Sequence, residues 1–283
     1  MLPQPIDQHG LLLAARRWGM VRLQFCSLVL LAGLLGTSTL ATRAEAGIVR
    51  VPEDLPTIQL GIAHAAPGDT VLVAPGLYPE RIDFMGKGIV VGSHFVATGD
   101  PSLIPETIID PSGAGTIGSA VTFDDGETSS SVLQGFTIRN ASASVGAGVL
   151  CIAASPRILD NIICHNRASS SGGGIYDSVG ASTISRNKIF GNQAVRMDGG
   201  GIWALYASTT ISGNEIYDNF SSFRGAGIYC EHSTPTISDN IVHDNVNASY
   251  YAGGIASRNC MSIITGNTVF NNEGGAFGGG IFY

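Results

Sequence analysis

From Leu133 to the end of the chain, short aliphatic runs and polar breaks alternate on a fixed beat. Each beat carries a glycine-rich step closed by an aliphatic residue, at Gly146–Val149, Gly172–Ile175, Gly199–Ile202, Gly225–Ile228, Ala252–Ile255 and Gly278–Ile281. The closing aliphatics are spaced 26, 27, 26, 27 and 26 residues apart. A second phrase keeps the same period: Asn161, Asn187, Asn214, Asn240 and Asn267 each open a short apolar phrase, and another asparagine follows at Asn166, Asn192, Asn219, Asn245 and Asn272. Five cycles in two independent columns make an internal repeat, and a period of this size means a solenoid whose units cover one another. Phrases such as Thr210–Ser212 are β-branched and cut by Gly, Asn and Ser; they lack both the i, i+3, i+4 stripe of helical repeats and a recurrent leucine pattern. Three strands of four to six residues with three turns use about 26 residues, one coil of a parallel β-solenoid.

Successive coils then stack about 4.8 Å apart, each residue over its counterpart. The asparagines are expected to take left-handed backbone angles in turns and to bond their neighbours one coil on. The glycine steps read as turn chemistry, not as a phosphate loop. Upstream the pattern is less regular. Ile58, Ile62 and Ala65–Ala66 line one face of a short helix, and Thr70–Ala74 alternates as a strand ended by Pro75 and Gly76. Ile89–Val91, Thr107–Ile109 and Ala120–Phe123 read as strands of irregular early coils. The expectation is an all-β, right-handed parallel β-helix in one domain over residues 47–283. Residues 47–132 form its cap and early coils, and residues 133–283 its regular coils. The chain stops at Ile281–Tyr283 without a polar cap, which suggests a further C-terminal domain.

These repeats resemble those of the pectate-lyase-like, right-handed parallel β-helix superfamily. The phrase Ile189–Ala194 followed by Gly199–Ile202 resembles the repeats of polymorphic outer-membrane proteins. Val51–Ala66 with Gly68–Glu80 resembles the opening of pectin-methylesterase-like proteins. The resemblance implies that the short helix caps the first coil, and that any active face lies on outward strand residues walled by long turn excursions. No insertion in the repeat region is long enough to wall a deep cleft. The Gln-Asp and catalytic Asp phrases of pectin methylesterases are absent.

The N-terminus changes the picture. Arg16, Arg17 and Arg22 precede an apolar run from Leu23 to Leu35, and Ala44–Ala46 has the small-x-small form of a signal-peptidase site. Residues 1–46 therefore read as a cleaved signal peptide, with Met20 an alternative start, and the mature chain as secreted, periplasmic or displayed on the cell surface. The run is shorter than a membrane span, and no later run qualifies. Of 283 residues 38 are glycine and only 13% are charged, while 44% are hydrophobic, which excludes a disordered chain. The formal net charge of −7 disfavours nucleic acid as a partner.

Candidate chemistry sits on outward positions. With Ile175 pointing in, Leu150, Tyr176, Trp203, Tyr229, Ala256 and Phe282 form one outward column, and Tyr176, Trp203 and Tyr229 are the candidate ligand-binding residues, for the faces of a glycan chain. Cys164, Phe190, Tyr217, His243 and Phe270 form a second column. Asp218 and Asp244 are equivalent in adjacent coils; they splay into water, bind calcium, or act as weak acid and base candidates. Asp198 with Arg224, and Glu231 with Arg258, read as cross-coil ion pairs. Cys151, Cys164, Cys230 and Cys260 read as free buried thiols, since the register keeps them too far apart for disulfides. No HExxH, phosphate-binding or CxxC motif occurs. The reading is an exported scaffold with a polysaccharide or cell-surface glycan as ligand and no obligatory cofactor. A polysaccharide lyase, hydrolase or epimerase is the alternative, and a passive stalk of a larger surface protein the third.

Overall fold

Each aliphatic phrase pairs in parallel with its own copy one period later. Thr183–Ser185 aligns with Thr210–Ser212 and then Thr236–Ser238, residue for residue. Ile175, Ile202, Ile228 and Ile255 align likewise. The computed structural model describes residues 46–283; the expected signal peptide over residues 1–46, apart from its last residue, lies outside the described residues. Within them the strands stack into three long parallel sheets. The first has nine strands, from Ile48–Val51 to Ile263–Thr265; the second has eight, from Gly76–Tyr78 to Thr268–Phe270; the third has eight, from Ile82–Asp83 to Ile281–Phe282.

One expectation is corrected at once. A coil has four paired segments where the fourth, five-stranded ribbon runs: Ser142–Val145, Arg167–Ser171, Gln193–Ala194, Phe220–Ser221 and Val246–Asn247. Backbone between the second asparagine and the glycine step lies against its copy in the next coil, and its polar groups find partners there, as when Gln193 N–H donates to Asn166 O at 2.9 Å.

The core is built by columns. Ile158, Ile184, Ile211 and Ile237 enter from the first sheet, Ile163, Ile189, Ile216 and Val242 from the second, and Ile175, Ile202, Ile228 and Ile255 from the third, all with no exposed surface. Each such side chain contributes about 2 kcal/mol by burial. Period-2 alternation turns their neighbours outward.

Both asparagine columns form continuous ladders inside the turns. Asn192 donates from its backbone N–H and its Nδ2 to Asn219 Oδ1 at 3.1 and 3.0 Å, and also from Nδ2 to Ile163 O at 2.9 Å. The expected left-handed angles fall one residue earlier, on Asp160, His165, Arg186, Gly191, Gly213, Asp218, Asp239, Asp244, Gly266 and Asn271. The preceding residue makes the bend, and that bend aims the asparagine inward, where its amide replaces water.

The helix Ile58–His64 packs Ile58 and Ile62 over the first coil, covering a sheet edge that would otherwise template aggregation. Two charges from the following two turns clamp it. Glu80 accepts from Ile58 N–H and Gln59 N–H at 2.9 and 3.0 Å. Lys87 Nζ donates to the carbonyls of Ile62, Ala63 and Ala65 at 2.7–2.8 Å. Seven residues are too few for a helix to persist alone, so these clamps hold the cap closed. Lys87→Met is expected to lower stability by about 2 kcal/mol, read as an earlier urea midpoint. An unchanged midpoint would show that apolar packing alone seats the helix.

Candidate functional site

Outward residues of the third sheet line up as the repeat spacing requires: Leu150, Tyr176, Trp203, Tyr229, Ala256 and Phe282 are paired in register. They do not form a flat stack. Tyr176 meets Trp203 edge to face at 4.9 Å and 71°, and Trp203 meets Tyr229 at 6.3 Å and 31°. Tyr229 has no exposed surface, because Trp203, Tyr251 and Phe282 pack around it with Ala252 and Ala256. Tyr176 and Trp203 are each partly exposed, whereas Tyr229 is buried against Trp203.

The cover comes from turns that lead into the glycine steps. Tyr251 stacks on Phe282 at 4.3 Å, Phe277 contacts both, and Tyr250 contacts Phe223. The Arg224 guanidinium lies 4.7 Å from the centre of the Phe223 ring and 5.6 Å from that of Tyr251, a cation–π arrangement. These turns sit close because the glycine steps pack tightly. Gly199 has φ +66°, and a Cβ there would meet the Trp203 side chain at 2.6 Å.

The second column also points outward, and it is the stacked one. Phe190, Tyr217, His243 and Phe270 lie nearly parallel at 4.9, 5.1 and 4.9 Å. Stacking along the coil axis covers ring faces with neighbouring rings and leaves edges to solvent, the form of a stabilising ladder.

Beside the third-sheet aromatics lies a charged network. Arg224 Nη1 faces Asp198 at 3.6 Å and Glu231 at 3.9 Å, while Arg258 pairs with Glu231. Both expected cross-coil pairs are present and joined through Arg224. Asp198 Oδ1, Arg224 Nε and Trp203 Nε1 are buried without a hydrogen-bond partner. Burial pushes the Asp198 carboxyl up to about 6, against the pull of Arg224 and with help from Glu231. Because the folded form holds this proton more tightly, Asp198 favours the fold fully below pH 3.8, and that contribution is lost as pH rises through about 6. The change is on the order of 3 kcal/mol. Stability measured from pH 4 to 7 is therefore expected to fall more in the wild type than in Asp198→Asn. Parallel curves would contradict the assignment.

Asp218 and Asp244 occupy left-handed turn positions and are exposed. The Asp244 carboxylate engages His243 Nδ1 at 2.6 Å. A tighter acidic group lies elsewhere: Asp83, Asp124 and Asp125 place carboxylate oxygens within 4.8 Å of one another, and burial with its two neighbours raises Asp124. Among the described residues these three lie close enough together to hold a divalent cation, and no repeat pattern marks them. Asp177 was also not legible. It points into the solenoid core with no exposed surface and accepts from Ser182 Oγ and Thr209 Oγ1 at 2.9 and 2.5 Å. Among the described residues the four cysteines are free, with Cys151, Cys164 and Cys230 buried and Cys260 only partly so. Burial pushes the Cys164 thiol up to about 11, which makes it a poor nucleophile.

Among the described residues no helix is long and apolar enough to cross a membrane. No curated protein and no solved structure matches the chain. The family model described as the right handed beta helix region matches residues 123–283. That span is more than half of the chain and contains all the regular coils, so the protein belongs to the right-handed β-helix family.

Proposed function

We propose that the protein is an exported β-helix scaffold that binds a glycan chain on the outer face of the third sheet, around Tyr176 and Trp203. The aromatic surface supports this reading. It runs over successive coils from Tyr176 and Trp203 to Tyr251 and Phe282, with the Asp198–Arg224–Glu231–Arg258 network on its flank. Sugar rings rest their C–H faces on aromatic rings while charged neighbours take the hydroxyls. A surface repeated along a rod suits a polymer better than a small substrate. Export rests on the arginines, the apolar run and the Ala44–Ala46 step.

A second reading, a polysaccharide-active enzyme, is favoured by one observation. Burial pushes the Asp198 carboxyl up to about 6 beside the Arg224–Glu231 pair, and a carboxyl raised in this way can serve as a general acid. The test is a panel of immobilised polysaccharides with and without calcium, following both retention and release of reducing or unsaturated ends. Retention without new ends is expected. New ends, lost in Asp198→Asn, would replace binding by catalysis, and neither retention nor turnover would leave a passive stalk. Calcium-dependent retention would direct attention to Asp83, Asp124 and Asp125 ahead of Asp218 and Asp244.

A further inference from the structure

Residues 94–106 leave the solenoid between the first-sheet strand Val90–Ser93 and the second-sheet strand Thr107–Ile109. The excursion contains a helical turn, Phe95–Thr98, ended by Gly99 in the left-handed region, and a tighter turn, Pro101–Leu103, whose start is capped by the Asp100 carboxylate accepting from Ser102 N–H at 2.9 Å. Thr137 Oγ1 donates to Ile104 O at 3.0 Å and pins it to the next coil. The excursion walls a groove of about 270 Å³ over the edge between the first and second sheets.

The apolar part of the groove is Phe95, Pro101, Ile104 and Ile162. Its polar part is Asp160, Asn161, Arg186 and Lys188, and there the acceptors are already engaged. Asp160 Oδ1 takes Arg186 Nε at 2.7 Å, and Oδ2 takes Arg186 Nη2 at 2.8 Å and Gln134 Nε2 at 2.7 Å. Asn161 Oδ1 takes Phe136 N–H at 3.0 Å, and its Nδ2 donates to Leu133 O and Asn187 Oδ1. Of the two cations, Arg186 uses only Nε and Nη2 on Asp160, and Lys188 Nζ faces one carboxylate oxygen, on Glu215, at 3.1 Å. The free hydrogen-bonding capacity of this rim is therefore mostly donor, and it sits on positive groups.

We propose that this groove binds a small apolar carboxylate, a single flat ring or short acyl body lying on Phe95, Pro101, Ile104 and Ile162 with its carboxylate toward Arg186 and Lys188. A carboxylate is acceptor-only and matches donors on cations. The volume lies just under the ~300 Å³ at which drug-sized pockets begin, room for one ring. A sugar is a poor fit, because each hydroxyl brings a donor that the apolar wall leaves unpaired. The site is thus independent of the glycan surface.

The test uses the purified protein and 4-fluorobenzoate, followed by fluorine NMR line width, with 4-fluorobenzyl alcohol as the uncharged comparison. Saturable broadening is expected with the acid, and binding of the alcohol weaker by at least about tenfold. Lys188 is exposed, with 58% of its side chain accessible, so Lys188→Gln keeps the fold and is expected to weaken the acid by about tenfold. Ile162→Trp fills the groove and is expected to abolish binding. No saturable broadening, equal binding of acid and alcohol, or full affinity in Lys188→Gln would overturn the proposal.

Discussion

Asn219→Leu is expected to lower the stability of the protein by on the order of 4 kcal/mol. Asn219 is 1% exposed. Its Oδ1 accepts both the backbone N–H and the Nδ2 of Asn192 at 3.1 and 3.0 Å. Its Nδ2 donates to Ile189 O and to Asn245 Oδ1, each at 2.9 Å. Leucine matches the volume and makes none of these bonds, so the Asn192 N–H is left buried without a partner, and Asn192 Nδ2, the Ile189 carbonyl and Asn245 Oδ1 each lose one of theirs. An orphaned buried N–H costs about 1–3 kcal/mol and each further lost bond about 1 kcal/mol, far above what an extra buried methyl returns. The urea midpoint should fall sharply, whereas Asp218→Asn, one residue earlier but exposed, should leave it almost unchanged. Equal small effects at both positions would mean that the ladder only decorates a fold held by its aliphatic columns.

The second large effect is expected at Gly201. Its backbone does not need a left-handed angle; what it needs is space. A Cβ there would lie 2.6 Å from the Gly227 carbonyl oxygen of the next coil, and 3.2 Å from both Asn219 Nδ2 and Ile216 Cγ2. The carbonyl cannot swing aside, because Ile202 N–H donates to it at 2.9 Å. Gly201→Ala must push two coils apart at the point where ladder, core and third sheet meet. A loss of about 3 kcal/mol is expected. Amide exchange should speed up in Ile202–Leu205 and Ile228–Glu231 before it does in distant coils, since each repeat contacts mainly its neighbours. Uniform acceleration along the rod would contradict a local origin.

Register and core were legible because a solenoid repeats its environments. Ile175, Ile202, Ile228 and Ile255 each meet the same neighbours, so 26- and 27-residue spacing fixes their pairing before any geometry is known. The asparagine ladders were legible for the same reason. What spacing does not contain is the division of labour within a turn. Asp218 and Asn219 are adjacent in both pattern and structure, yet the first bends the backbone and the second fills the interior. The fourth ribbon was hidden because two-residue strands such as Gln193–Ala194 carry no alternation.

The candidate site was half legible, for a related reason. Period-2 alternation placed Tyr176, Trp203 and Tyr229 outward on one column, as the structure has them. Burial of Tyr229 depends on Tyr251 and Arg224, which share with Asp198 the position before the glycine step, and equivalence of position does not say which side chain reaches over the ring. The groove beside Phe95 escaped notice because residues 94–106 have no copy elsewhere in the chain. Glu80 and Lys87 escaped for the same reason, each being a single charge with a unique partner.

Under the proposed glycan binding, ligand contact belongs to the edge-to-face pair on the third sheet, and the stacked ladder on the second sheet is structural. Affinity electrophoresis in a gel containing a retained polysaccharide separates the two directly, with Trp203→Ala and Tyr217→Ala run beside the wild type at equal thermal stability. Trp203→Ala is expected to migrate freely while Tyr217→Ala is held back like the wild type. Retardation lost in Tyr217→Ala and kept in Trp203→Ala would contradict it.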